Sequence, residues 1–208
     1  MARANVQVML CDLPYNKCIG AAISLKMPSE TAIWTIGHST RSIEAFIDAL
    51  RAHGIQALVD VRRFPKSRRL PHFEGDALKL ALSKIGIDYH HFAEMGGWRK
   101  PRPDSVNTAW RSPGFRGYAD HMESVEFQQA IERLLDIARH RRTAVMCAER
   151  LWFRCHRMLI ADYLKATGIE VIHIEDAETA VAHPYTSAAC IVDGRLSYRN
   201  PLSQPQTS

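Results

Sequence analysis

Apolar and polar positions follow no clear period up to about residue 30, and order sets in from Ala32. Ala32–Gly37 (AIWTIG) is a short run of strand formers. Ser42 then precedes Ile43, Phe46, Ile47 and Leu50, the spacing of an amphipathic helix with a hydroxyl at its N-cap, and Gly54 stops it. Residues 56–62 (QALVDVR) read as a buried strand, 76–85 as a second helix closed by Gly86, and 87–92 as a third strand. Val125–His140 carries Phe127, Ile131, Leu134, Leu135 and Ala138 on one side and predicts a third helix. Residues 142–147 predict a fourth strand, 155–167 a fourth helix ended by Gly168, and 169–174 a fifth strand. Residues 93–117 mix Gly, Pro, Trp and Arg without period and read as a long loop, a length usually associated with function or disorder. Residues 189–192 and 195–198 flank Asp193-Gly194, a two-residue hairpin signal.

Strands alternating with helices predict an α/β fold: a mostly parallel, Rossmann-like sheet of about five strands with helices on both faces, followed by a C-terminal β-hairpin. The expected divisions are a tail or edge strand at 1–29, an α/β domain at 30–176, and a hairpin and tail at 177–208. The apolar stretch at 19–25 is short, follows Lys17 and lacks a cleavage site, so no signal peptide is read there, and Met27 stands as an alternative start. In such a sheet ligands bind beyond the carboxyl ends of the strands. That places Gly37-His38-Ser39-Thr40, Arg62-Arg63-Phe64-Pro65, Glu94 with Gly96 to Trp98, and the segment from Cys147 to Arg157 at one edge.

Composition narrows the class. With 46% apolar and 24% charged residues, wholesale disorder, collagen-like repeats and coiled coil are excluded. No apolar run reaches the ~18 residues of a membrane span, so no membrane association is expected. Five cysteines are too few for a disulfide scaffold and odd in number, so they read as reduced thiols of a cytoplasmic protein. The net charge is +5, with 20 Arg against 7 Lys. A GC-rich genome explains the overall ratio equally well, but the positions are grouped. Arg62, Arg63, Lys66, Arg68 and Arg69 form one cluster, Arg99, Lys100 and Arg102 a second, and Arg150, Arg154 and Arg157 a third. Together they predict one positive surface for an anionic small molecule or nucleic acid.

Chemistry concentrates in Met146-Cys147-Ala148-Glu149 and Arg154-Cys155-His156-Arg157. A Cys at a helix start, among cations, favours its thiolate, and a thiolate beside His and a carboxylate has the parts for nucleophilic catalysis. The plain alternative is a pair of small core residues. Cys147, Glu149, Cys155 and His156, with His38 or His72 added, also form a conceivable metal set. Their spacing is poor for zinc, and no metal ligand or cofactor is assigned. His38, Ser39 and Thr40 sit in a strand-to-helix turn. They read either as caps or as a phosphate pocket with His38 carrying a proton. Asp60 pairs a neighbouring Arg or binds substrate. Arg62, Arg63, His72, Arg154 and Arg157 are candidate anion holders. Rings interleaved with cations at 64–73 and 98–118 suit bases and phosphates, or a solvated basic face with packed aromatics.

Several of these residues carry a resemblance. Thr35-Ile36-Gly37-His38-Ser39-Thr40, Val59-Asp60-Val61-Arg62 with Pro65 and residues 67–73, Glu94 with Gly96-Gly97, residues 114–119 (GFRGYA), and above all the two cysteine motifs are similar to the bacterial family catalogued as domain of unknown function 488. The likeness spans about residues 32–175 and implies motif residues but no reaction. A weaker likeness is to rhodanese-type sulfurtransferases, which also have a D-V-R strand end and a Cys between a later strand and a helix. Their active loop carries Gly, whereas between Cys147 and Arg157 there is none and Trp152 and Phe153 intervene, so sulfur transfer is an analogy only. The expectation is a cysteine-dependent transferase or hydrolase acting on a phosphate-bearing substrate, nucleotide or nucleic acid. The alternatives are a non-catalytic nucleic-acid-binding module and a metal-dependent enzyme.

Overall fold

The computed structural model describes residues 31–200, so the tail or edge strand expected at 1–29 lies outside the described residues. Six strands form one sheet: β1 (Ala32–Gly37), β2 (Ala57–Asp60), β3 (Asp88–His91), β4 (Thr143–Cys147), β5 (Glu170–Ile174) and β6 (Ala180–Ala182). Their order is β3-β2-β4-β1-β5-β6; the first five are parallel and β6 runs antiparallel to β5. Five helices pack on it: α1 (Ile43–Ala52), α2 (Gly75–Ser83), α3 (Pro113–Met122), α4 (Val125–His140) and α5 (Arg157–Ala166).

Every residue of β2 and β4 is buried, as central strands covered on both faces require. Their side chains alternate between two cores. Leu58 and Met146 face Phe46, Leu50, Leu78 and Leu82 of α1 and α2. Val59 and Val145 face Tyr118, Phe127, Leu134 and Leu159 of α3, α4 and α5. Neighbouring strands β1 and β4 therefore lead to helices on opposite faces, α1 and α5. Where adjacent connections diverge in this way, a crevice opens at the carboxyl edge of the sheet.

The structure differs from the sequence reading in four places. The stretch read as a loop, 93–117, gives way at Pro113 to α3, which runs on to Met122 and is hidden by Pro113, Gly114 and Gly117. Gly117 is required there, because a Cβ would overlap the backbone of residues 99–101 crossing the helix. β6 was not expected; three residues are too few to show a period, and it carries the sheet past residue 176. The fourth helix begins at Arg157, not Cys155: Trp152–Arg154 form a 3-10 turn and Cys155 is extended. The sheet accordingly has six strands where about five were expected. The hairpin of β7 (Cys190–Val192) and β8 (Arg195–Ser197) is present, with positive φ at both Asp193 and Gly194, the signature of its two-residue turn. Among the described residues no helix is long and apolar enough to cross a membrane.

Candidate active site

At the carboxyl edge a cleft of about 320 Å³ is floored by His38, Arg62, Gly97, Cys147, Cys155 and His156. Backbone bonds build it. After β1, the amides of His38 and Ser39 donate to the carbonyls of Cys147 and Ala148 after β4. The Arg41 amide donates to the His38 carbonyl. These donors of the β1–α1 turn are thereby spent within the protein, and Ser42 caps α1 by accepting from the Ala45 amide. Gly37 lets the two segments meet, since a Cβ there would overlap the Glu149 carbonyl.

Cys147 Sγ and Cys155 Sγ are 3.1 Å apart, and both thiols are free. Arg157, 1% exposed, lies against both: its Nε donates to Cys147 Sγ at 3.1 Å and to Cys155 Sγ at 3.2 Å. Its Nη2 donates to the carbonyls of Glu149 (2.5 Å) and Arg150 (3.1 Å), and its Nη1 to Thr35 Oγ1 (3.4 Å). No carboxylate among the described residues pairs with it. A buried charge without a counter-charge is costly, and the sulfurs are the groups placed to supply one. The two thiols share that burden unequally. Burial pushes Cys155 up, but the hydrogen bond from Cys147 and the Arg157 charge outweigh it and bring Cys155 down to about 6. Burial pushes Cys147 well above its ordinary value. The pair thus loses one proton easily and holds the second. The charge comes from a side chain, and not from a helix start at Cys155 as the sequence implied.

The remaining predicted residues divide. His38 is buried, keeps its Nδ1 2.9 Å from the Ser39 carbonyl, and stacks on Phe73 at 4.2 Å. Its Nε2 is 3.3 Å from Arg62 Nη1, and burial lowers its pKa to about 4. His156 reaches the cleft with an Nε2 that is buried and lacks a hydrogen-bond partner; burial, then the Arg157 charge, lowers it to about 4. Asp60 is 0% exposed and grips Arg62, accepting from its Nε and Nη2 and from Tyr89 Oη at 2.8 Å. Arg62 also donates to the Phe73 carbonyl, so this arginine braces the β2 loop. The Glu149 side chain accepts from the Leu151 amide, and its carbonyl is the group that meets Arg157. His72 Nε2 sits 3.1 Å from the Arg41 carbonyl. Ser39, Thr40, His72 and Arg154 do not line the cleft.

Each of the three basic clusters gives up members to contacts within the protein. Arg62 and Arg157 are internal. Arg99 donates to the carbonyls of Glu94 and Gly96, and Arg102 pairs with Glu123 at 2.5 Å. Arg63 and Lys66 remain exposed at the rim, with Phe64 (72% exposed) and Trp98 (92% exposed) beside them. Trp98 has φ of 63°, a conformation uncommon for a bulky residue that presents the ring at the mouth. Among the described residues no three His, Cys, Asp or Glu side chains gather as a metal-ligand set.

The family model described as "Domain of unknown function DUF488" matches residues 42–164, more than half of the chain. The chain belongs to the DUF488 family. No curated protein and no solved structure matches it. The DUF488 match takes in both cysteines, Arg157 and the Asp60–Arg62 pair, and stops short of β1 and of everything from β5 onward. Nothing in the match extends to the sulfurtransferases. In this DUF488 chain the segment after Cys147 turns carbonyls toward Arg157, whereas an anion-wrapping loop presents N–H groups.

The sequence reading makes Arg157 an anion holder and one of the cations that lower Cys155; what it lacks is the direct contact of this guanidinium with both sulfurs. The signal was available in the register: Arg157 follows Cys155 by two residues at the end of a strand-loop-helix turn. Thr35 was quoted only within a motif, and nothing in an apolar strand marks its hydroxyl as a partner of that arginine.

Proposed function

We propose that the protein is a cysteine-dependent enzyme whose Cys155 thiolate attacks a phosphate-bearing substrate, a nucleotide or single-stranded nucleic acid. The observation that carries this reading is the buried Arg157 guanidinium, which has two sulfurs and no carboxylate as its counter-charge. A structural cysteine pair has no use for a buried cation, which would be cheaper to replace by an apolar side chain. Cys147 donates its S–H to the thiolate and keeps it hydrogen-bonded while the cleft is empty of substrate. His156, neutral and lining the same cleft, is the group placed to exchange a proton with the substrate. Arg63 and Lys66 meet the phosphates, and Phe64 and Trp98 offer faces for a base.

The test is site-resolved alkylation. Iodoacetamide at neutral pH should label Cys155 faster than Cys190. Adenosine nucleotides or a short single-stranded oligonucleotide should protect Cys155, with protection fading steeply as salt rises. Arg63→Ala and Lys66→Ala should each weaken that protection by up to about tenfold, the range of an exposed charged contact. Equal labelling of Cys155 and Cys190 would overturn the nucleophile. Oligonucleotide binding without protection of Cys155 would instead favour the binding module, a reading that the exposed Phe64 and Trp98 support by themselves.

A further inference from the structure

Behind the thiols, Arg157 is attached to a chain of buried polar groups. Its Nη1 meets Thr35 Oγ1, which lies 2.6 Å from His173 Nδ1. His173 Nε2 is 2.9 Å from His183 Nδ1, and His183 Nε2 is 3.0 Å from Asp162 Oδ1. Asp162 closes the chain. Its carboxylate also accepts from the Thr186 amide at 2.9 Å, the Thr186 hydroxyl at 2.6 Å and Tyr198 Oη at 2.9 Å. Thr35, His173, His183 and Asp162 are all buried, and the Trp152 ring stacks on His173 at 4.3 Å and meets His183 edge-on.

The carboxylate end gives this chain a direction. Asp162 only accepts, so with a neutral His183 the proton sits on Nε2 and Nδ1 accepts. His173 then donates from Nε2 and accepts on Nδ1, and the Thr35 hydroxyl donates to it. That turns a Thr35 lone pair toward Arg157, which only donates. The arginine end is compatible with the same polarity. Burial, with His183 and Arg157 nearby, holds His173 neutral, as the scheme requires.

We propose that Asp162, acting through His183, His173 and Thr35, is a positioning group that fixes the Arg157 guanidinium with its Nε between the two sulfurs. The Glu149 and Arg150 carbonyls hold one end of the fork and Thr35 the other, so the fork cannot turn away from the thiols. Thr35, His173, His183, Thr186 and Tyr198 all lie outside residues 42–164, where the family model matches. The flanking segments thus serve the site from behind. The inference rests on the thiolate reading above.

The experiment is the pH profile of Cys155 alkylation in the full chain, followed by mass spectrometry. Thr35→Val keeps the shape and removes the hydroxyl, and should raise the midpoint by about one pH unit, a tenfold change in the dissociation constant of the thiol. Thr35→Ser should restore it. A merely structural hydroxyl would lower the melting temperature and leave the midpoint in place, and that result overturns the inference. Nitrogen NMR of the wild type is the check that needs no variant to fold: His173 and His183 should both be neutral with the proton on Nε2, and a cationic ring or an Nδ1–H tautomer overturns the scheme. A wild-type midpoint in the ordinary thiol range would overturn the nucleophile together with the inference. A low midpoint unmoved by Thr35→Val sinks the positioning role alone.

Discussion

Replacing Arg157 by Met tests the central claim most directly, because it removes the charge and roughly keeps the volume. The guanidinium Nε stands 3.2 Å from Cys155 Sγ, and the centre of the delocalised charge about an ångström farther. At an effective dielectric of about 20, that separation corresponds to roughly 3–5 kcal/mol, or about 2–4 pH units. From about 6 the Cys155 midpoint should therefore rise to the ordinary thiol value of ~8.5 or beyond. At neutral pH the thiolate fraction would drop by about 30-fold or more. A thiolate of higher pKa is also more nucleophilic, with a Brønsted slope of about 0.4–0.5, which returns roughly tenfold of that loss. A single rate at pH 7 is thus a poor readout, and the midpoint of the rate–pH profile is the right one. The assay is iodoacetamide labelling from pH 5 to 10, quantified at Cys155 by mass spectrometry, with Cys155→Ser as the blank. A midpoint that stays near 6 in Arg157→Met would refute the reasoning, since it would leave the Cys147 hydrogen bond, and not the Arg157 charge, holding the thiol down.

Three further outcomes follow from other contacts. Arg62→Met strands the Asp60 carboxylate at 0% exposure, and should cost about 3–5 kcal/mol in urea denaturation while leaving the Cys155 midpoint in place; a loss under ~1 kcal/mol would show that the pair does not brace the β2 loop. His38, His121 and His156 are held down to about 4 by burial, below the ~6.5 of an unfolded histidine. Their contribution to stability is therefore complete above pH ~6.5 and lost as pH falls toward 4, so the urea midpoint should drop across that window with uptake of protons on unfolding; a flat profile would contradict it. Gly117→Ala pushes a methyl group into the backbone at 99–101 and should destabilise the fold by about 1–3 kcal/mol, measured by thermal melting, with a neutral result denying the close crossing of α3.

How far the sequence could be read depended on how local each signal was. The parallel sheet was legible because β2 and β4 are buried on both faces and appear as continuous apolar runs bounded by polar turns. α1 and α4 were legible because their apolar positions recur at 3–4 residues, with Ser42 marking the start of α1. α3 was not, since Gly114 and Gly117 lower its helical propensity and Gly117 is fixed by the backbone that crosses the helix. At the site, the sheet-edge rule gathered His38, Cys147, Cys155 and His156 correctly from strand ends alone. It did not separate cations facing ligand from cations facing protein. Arg62, Arg63, Arg154 and Arg157 look alike in sequence. Arg62 and Arg157 are internal, Arg63 stands at the cleft rim, and Arg154 is exposed and does not line the cleft. The two internal ones are held partly by near neighbours, Asp60 and Cys155, and partly by residues 24 and 122 positions away, His38 and Thr35.

The two internal arginines make the functional argument sharper when set side by side. Arg62 and Arg157 both sit at the carboxyl edge of the sheet, both are almost wholly buried, and both brace a loop by donating to backbone carbonyls. Arg62 is neutralised by the Asp60 carboxylate, which Arg62 and Tyr89 hold in place, so its environment is fixed. Arg157 is neutralised only as far as Cys155 gives up its proton, so its environment changes whenever that sulfur reacts. Alkylation, acylation or disulfide formation at Cys155 removes the counter-charge and leaves the cation buried alone, a state several kcal/mol less favourable than the thiolate pair. The same imbalance favours expulsion of the thiolate from a covalent intermediate, which is what turnover requires of a nucleophile and what a structural cysteine has no need of. A carboxylate in place of the sulfur would have braced the loop equally well. That the chain sets a sulfur at this position, and a carboxylate at Asp60, is the contrast that supports Cys155 as the nucleophile of the proposed reaction.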